Sequence, residues 1–181
     1  MERVELDVPG PMVRVEWDRG HDVFTGIVRA ADDAGIILTP IHDNVPLAGL
    51  RWIDDRELLR VVELRPDDPA VRLADLTDAR VWAVERSLTD LRVLLASLQH
   101  DGDLVMVQQA ATGSRTGRVG RITSVDAQRV VLRDVSTSAR WSGDTDVIDL
   151  DDVICVEWGN AYLRSLATLL EAESTGWIPP G

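Results

Sequence analysis

The sequence repeats itself at a distance of 94 residues. At that offset Gly26 meets Gly120, Val28 meets Ile122, Asp32 meets Asp126, and Ile36-Ile37-Leu38 meets Val130-Val131-Leu132. Further on, Val62-Glu63 meets Val156-Glu157 at the same offset. Single matches arise by chance. An ordered set of glycine, turn aspartate, apolar triplet and closing pair points to a tandem duplication, one supersecondary unit used twice. A length of 181 residues then leaves room for two small units of one kind and little else.

Hydrophobic periodicity identifies the unit as β. Val13, Val15 and Trp17 alternate with polar residues, the period-two pattern of a half-buried strand. Asp18-Arg19-Gly20 reads as a turn, Phe24 to Ala30 as a second strand interrupted by Gly26, and Ile36 to Leu38 as a third. Leu50 to Ile53 and Leu58 to Leu64 supply a fourth and a fifth. A glycine inside a strand marks a bulge or bend that lets a short sheet curl. The second set reads Leu104 to Val107, Gly117 to Val125, Arg129 to Val135, a strand opening at Arg140-Trp141 and continuing through Val147 to Leu150, and Val153 to Glu157.

Helical spacing appears between and after the sets. Asp68-Pro69 has the form of an N-cap followed by the first helical residue, which predicts a short helix over 70–76. Val81, Val84, Leu88, Leu91, Leu95 and Leu98 form one apolar stripe ending at Gly102, a natural C-cap. Asn160 is a candidate N-cap for a helix whose inner face is Leu163, Leu166 and Leu170. Leu91-Arg92 before Leu94 and Leu98 echoes Leu163-Arg164 before Leu166 and Leu170. The expected fold is mainly β with helices (α+β): two tandem five-stranded small barrels, each followed by a helix. The expected segments are a first barrel over 1–65, a helical connector over 66–101, a second barrel over 102–159, a C-terminal helix over 160–174 and a tail over 175–181.

Charge narrows the function classes. There are 31 acidic residues against 19 basic ones, a net charge of -12, and every basic residue is Arg. With no Lys, Schiff-base chemistry and a phosphate-loop lysine are excluded. A strongly acidic chain repels nucleic acid and anionic membrane at long range. Cys155 is the one cysteine, so no intramolecular disulfide forms, and its apolar neighbours predict a buried strand thiol. His21, His42 and His100 have no zinc-like spacing, and the paired acids Asp54-Asp55, Asp67-Asp68 and Asp151-Asp152 lack the alternation of a calcium loop. No Gly-x-Ser-x-Gly, Cys-His pair or phosphate loop is present. The expectation is a cytoplasmic protein with no signal segment, cofactor, metal or membrane contact, and no enzymatic activity.

One window departs from the overall charge. Between Ser114 and Arg140 stand six Arg (115, 118, 121, 129, 133 and 140) and two Asp, a local charge of +4. Asp144 to Glu157 follows with six acids and no base. Arg115, Arg118, Arg121, Arg133 and Arg140, with Trp141 to stack on a base, are candidate anion- or partner-binding residues. The competing reading has these Arg on solvated strand faces, paired across the sheet with the acidic strands. Trp17, Trp52, Trp141 and Trp158 fall on strands, as core residues or as an exposed contact surface.

The unit resembles the Sm-like small β-barrel, on Gly26, Asp32 and Ile36 to Leu38 in residues 13–64, and on Gly120, Asp126 and Val130 to Leu132 in residues 104–158. Other SH3-like barrels share this spacing. The resemblance implies RNA binding from two loops. The first loop is present as Asp32 to Gly35 and Asp126 to Arg129. At the second, Val61-Val62-Glu63-Leu64 and Cys155-Val156-Glu157-Trp158 carry an acid where the family has Arg-Gly. The expected function is therefore a non-enzymatic protein-interaction or assembly module, binding a protein partner or itself. The alternative is Sm-like RNA or polyanion binding on an Arg-rich face of the second barrel.

Overall fold

The computed structural model describes residues 10–17, 22–42, 45–46, 49–76, 90–110 and 117–174. The chain divides into two compact units, Met1–Leu94 and Leu95–Gly181. It is mainly β, with three α-helices among the described residues. None of these helices is long and apolar enough to cross a membrane.

The first unit holds β1 (Met12–Trp17), β2 (Asp22–Asp32), β3 (Gly35–His42), a two-residue β4 (Val45–Pro46) paired with β3, β5 (Leu50–Asp54), β6 (Leu58–Glu63) and the helix α1 (Pro69–Leu76). Its antiparallel strands run in the order β5-β3-β2-β1-β6. In β1 the alternation works as the pattern predicts: Val13, Val15 and Trp17 are buried and Arg14 is exposed. Met12 faces the other way and joins Ile27 and Ile41 under Ala70, Val71 and Ala74 of α1. The Asp68 side chain accepts the Ala70 N–H at 2.9 Å, so α1 starts at the expected cap. Asp32 accepts the Ala34 N–H at 2.8 Å and closes the β2–β3 turn. Asp54 accepts the Arg56 N–H at 2.8 Å and opens a three-residue 3-10 turn between β5 and β6.

The helix α2 (Leu91–Asp101) begins at Asp90, whose carboxylate accepts the Arg92 N–H at 2.6 Å. It ends at Gly102, whose φ of +71° is the left-handed cap conformation that glycine adopts without a Cβ penalty. Leu94, Leu95 and Leu98 are buried. Val81, Val84 and Leu88 of the predicted stripe lie outside the described residues. The second unit continues with β7 (Leu104–Gln109), β8 (Gly117–Val125), β9 (Arg129–Val135), β10 (Trp141–Asp149), β11 (Val153–Trp158) and α3 (Ala161–Ser174). Its strand order is β10-β9-β8-β7-β11. Asn160 caps α3 by accepting the Leu163 N–H at 2.9 Å. Leu163, Leu166 and Leu170 cover Leu104 and Val135.

The duplication is visible in the pairing register. Val28 opposes Leu38 and Ala30 opposes Ile37, with a bulge between. At an offset of 94, Ile122 opposes Leu132 and Ser124 opposes Val131, with a bulge at the same place. The outer strands slip: Val15 opposes Val61, while Val107 opposes Val156, so β6 and β11 match at 95 and not at 94. The equivalence of Val62-Glu63 with Val156-Glu157 is corrected accordingly: Val61 matches Val156, and Arg60 matches Cys155. The cause is the loop before the fourth strand. Gly35 opposes Asp54 in one unit and Arg129 opposes Asp149 in the other, a connection one residue longer.

Two further expectations are corrected. Among the described residues no pairing joins β5 to β6 or β10 to β11, so each unit is an open antiparallel sheet and not a closed barrel. The 3-10 turns at Asp55–Glu57 and Leu150–Asp152 replace a tight hairpin and send the fifth strand across to the first. The helix that matches α3 is α1, which lies on Met12 and Ile41 as α3 lies on Leu104 and Val135. The α2 echo reflects leucine spacing shared by amphipathic helices in general.

Candidate functional site

The Arg window does not form one face. Strand register sets Arg121 of β8 directly opposite Arg133 of β9. Trp141 opens β10 opposite Val135, two residues beyond Arg133. The Arg133 and Arg121 guanidinium carbons lie 4.5 and 5.3 Å from the indole centroid. Both Arg are exposed, and neither forms an ion pair among the described residues. Three other window residues are neutralised. Arg118 meets Asp146 at 3.8 Å, Arg129 meets Asp149 at 2.8 Å, and Arg140 meets Glu173 at 3.2 Å. Arg115 lies outside the described residues. Cross-strand pairing with acids thus accounts for Arg118 and Arg129, and α3 supplies the partner of Arg140. What remains as a candidate is Arg121, Arg133 and Trp141.

Hydrogen bonding tunes the neighbouring β8–β9 turn. The Asp126 carboxylate accepts the Gln128 and Arg129 N–H groups, each at 2.8 Å. These two bonds hold the Asp126 carboxyl below the usual aspartate range. The hydrogen bond to Asp149 pushes the Arg129 guanidinium further up. A carboxyl with a lowered folded-state pKa stabilises fully above its unfolded value of about 3.9. That contribution is lost as pH falls through the lowered folded value. An NMR titration should therefore find Asp126 ionising below pH 3.9, the ordinary aspartate value. Ionisation at or above that value would contradict the turn geometry.

Burial separates the two units at their fourth and fifth strands. All six residues of β11 are buried. In β6 none is, and Leu59, Val61 and Val62 are 54%, 44% and 37% exposed. Val61 lies on the same face as buried Val15, so the inward face of the first sheet opens to solvent along this edge. The fourth strands reverse the pattern. Trp52 of β5 is 1% exposed, while Val147, its match in β10, is 56% exposed. The apolar β6 edge is a site that periodicity missed, because β6 and β11 share an aliphatic pattern. Two signals distinguish them: at the offset of 95, Arg60 stands where β11 has the buried Cys155, and Glu63 stands where it has the buried Trp158.

Trp17, Trp52 and Trp158 are core residues, which leaves half-buried Trp141 as the strand tryptophan available at the surface. Among the described residues no group of three or more His, Cys, Asp or Glu is arranged to hold a metal ion. Comparisons with protein-family models, with curated proteins and with solved structures found no match.

Proposed function

We propose that the protein is a non-enzymatic assembly module that joins copies of itself through sheet edges, β6 of one chain lying against β10 of the next. One observation carries this reading: the fourth and fifth strands of the duplicated unit are each buried in one unit and exposed in the other. The exposed pair consists of one terminal strand from each sheet, with β1 the neighbour of β6 and β9 the neighbour of β10. An edge strand with free backbone groups and apolar side chains is a template for pairing. Charge supports β10 as the partner. Asp144 on β10 and Arg60 on β6 are both exposed and form no ion pair among the described residues.

A contact that joins two different surfaces repeats from chain to chain, giving rings or open filaments. Pairing through single edge strands would cover less surface than a standard protein interface, which makes the micromolar range the working scale. Each unit, with its inset glycine, turn aspartate and fifth strand returning to the first, also supports reading the protein as a pair of open sheets of Sm-like or SH3-like strand pattern adapted to protein contact. A cytoplasmic setting belongs to the same proposal, with Cys155 a buried free thiol. The runner-up, polyanion binding, is reduced to Arg121, Arg133 and Trp141.

Light scattering across concentration tests the reading. The wild-type mass should rise above the 20.0 kDa of one chain, and Val61→Lys should return it to that value. A wild type that stays monomeric at ~100 μM, a concentration well above a micromolar dissociation constant, would count against self-assembly. So would a Val61→Lys variant that assembles like wild type.

A further inference from the structure

We propose that Arg121 and Arg133, braced by Trp141, form a binding site for a small phosphate-class oxyanion. Like charges directly opposite on neighbouring strands repel and destabilise the sheet. In a chain with a net charge of -12, two such guanidinium groups without an acidic partner among the described residues are anomalous. The duplicated unit shows that the scaffold does not require them. At an offset of 94, the matching cross-strand pair is Ile27 opposite Thr39. There Ile27 packs in the cluster under α1, and Thr39 accepts a 2.9 Å hydrogen bond from Arg29. Both members of that pair are Arg in the second unit.

The surroundings favour an anion of compact size. Two guanidinium forks present planar sets of N–H donors that match the oxygens of a phosphate group. Stacking against one indole limits the rotamers of both, so less ordering is needed on binding. Thr145 of β10 stands opposite Arg133 and continues the polar row across a third strand. On β10 beside Thr145, Asp144 is exposed, while Asp146 and Asp149 are held by Arg118 and Arg129. A single phosphate group lies within a Debye length, roughly 8 Å, of the two guanidinium groups. A nucleic-acid strand would extend past the two guanidinium groups along a chain of net charge -12 and be repelled.

The test is an NMR titration of the full chain with inorganic phosphate at constant ionic strength, following the Trp141 indole N–H and the Arg Nε–H signals. The wild type should shift and saturate. Arg121→Gln and Arg133→Gln should each weaken binding about tenfold or more, the loss of charge-assisted hydrogen bonds. Arg118→Gln and Arg140→Gln, which remove acid-paired guanidinium groups, should stay within about twofold of wild type. A parallel titration uses a short single-stranded oligonucleotide at equal phosphate concentration. Four results would overturn the proposal: no saturating shift, unchanged binding in both Arg121→Gln and Arg133→Gln, an equal loss in all four variants, or an oligonucleotide that binds more tightly than phosphate and depends on Arg121.

Discussion

Trp52→Ala is expected to destabilise the protein by about 3–5 kcal/mol, while Val147→Ala at the matching position changes stability by less than about 0.5 kcal/mol. The two residues occupy the same place in the duplicated unit, in the fourth strand and one residue before a buried isoleucine, Ile53 or Ile148. Trp52 is 1% exposed, so truncation removes a large apolar side chain from a filled space and leaves a cavity. Val147 is already in solvent, and its methyl groups contribute little burial in the isolated chain. Urea denaturation at a concentration below assembly measures both. A Val147→Ala loss comparable with that of Trp52→Ala would show that β10 is covered in the isolated chain, against the exposure from which the edge reading starts.

Gly120→Ala should cost about 1–3 kcal/mol, and Gly26→Ala at the matching position should cost less. A Cβ at Gly120 would lie 2.5 Å from the Arg133 carbonyl oxygen and 3.1 Å from its carbon. Those atoms belong to the backbone of the neighbouring strand, which moves only if the β8–β9 pairing moves. At Gly26 the nearest atom is Leu38 Cδ1 at 3.0 Å, the end of a side chain, and the nearest backbone atom, the Thr39 carbonyl oxygen, is farther away at 3.2 Å. The Gly120 variant would also displace the strand that carries Arg133. Thermal unfolding of the two variants side by side provides the check, and a Gly120→Ala protein as stable as wild type would contradict the close strand approach.

Much of the fold was legible from local chemistry. The caps at Asp68, Asn160 and Gly102 act within a few residues of themselves, and each is where the residue type predicts. The inner pairing of the repeat was legible because glycine, turn aspartate and apolar triplet all lie in one hairpin. What failed was non-local. Barrel closure depends on where the fifth strand goes after a 3-10 turn, which no residue in that strand encodes. The one-residue slip at Val61 comes from a loop elsewhere in the unit. The Arg window illustrates the same limit. Its charge was readable, but the division into paired Arg118, Arg129 and Arg140 and unpaired Arg121 and Arg133 depends on which acids the register brings near. Burial of β11 against exposure of β6 is the sharpest case, since both strands are largely aliphatic and the hints, Arg60 in place of Cys155 and Glu63 in place of Trp158, become readable only once the register of 95 is known.

The most direct test of the edge-to-edge account mixes two blocked chains. Val61→Lys disables the β6 edge and leaves β10 intact, and Val147→Lys does the reverse, each by placing a charge where an apolar edge must be covered. Light scattering should find each variant alone at the 20.0 kDa of one chain, and an equimolar mixture at twice that mass, because the intact β10 of one chain meets the intact β6 of the other and growth stops there. A mixture that remains monomeric, or a Val147→Lys variant that still assembles by itself, would contradict the pairing of β6 with β10.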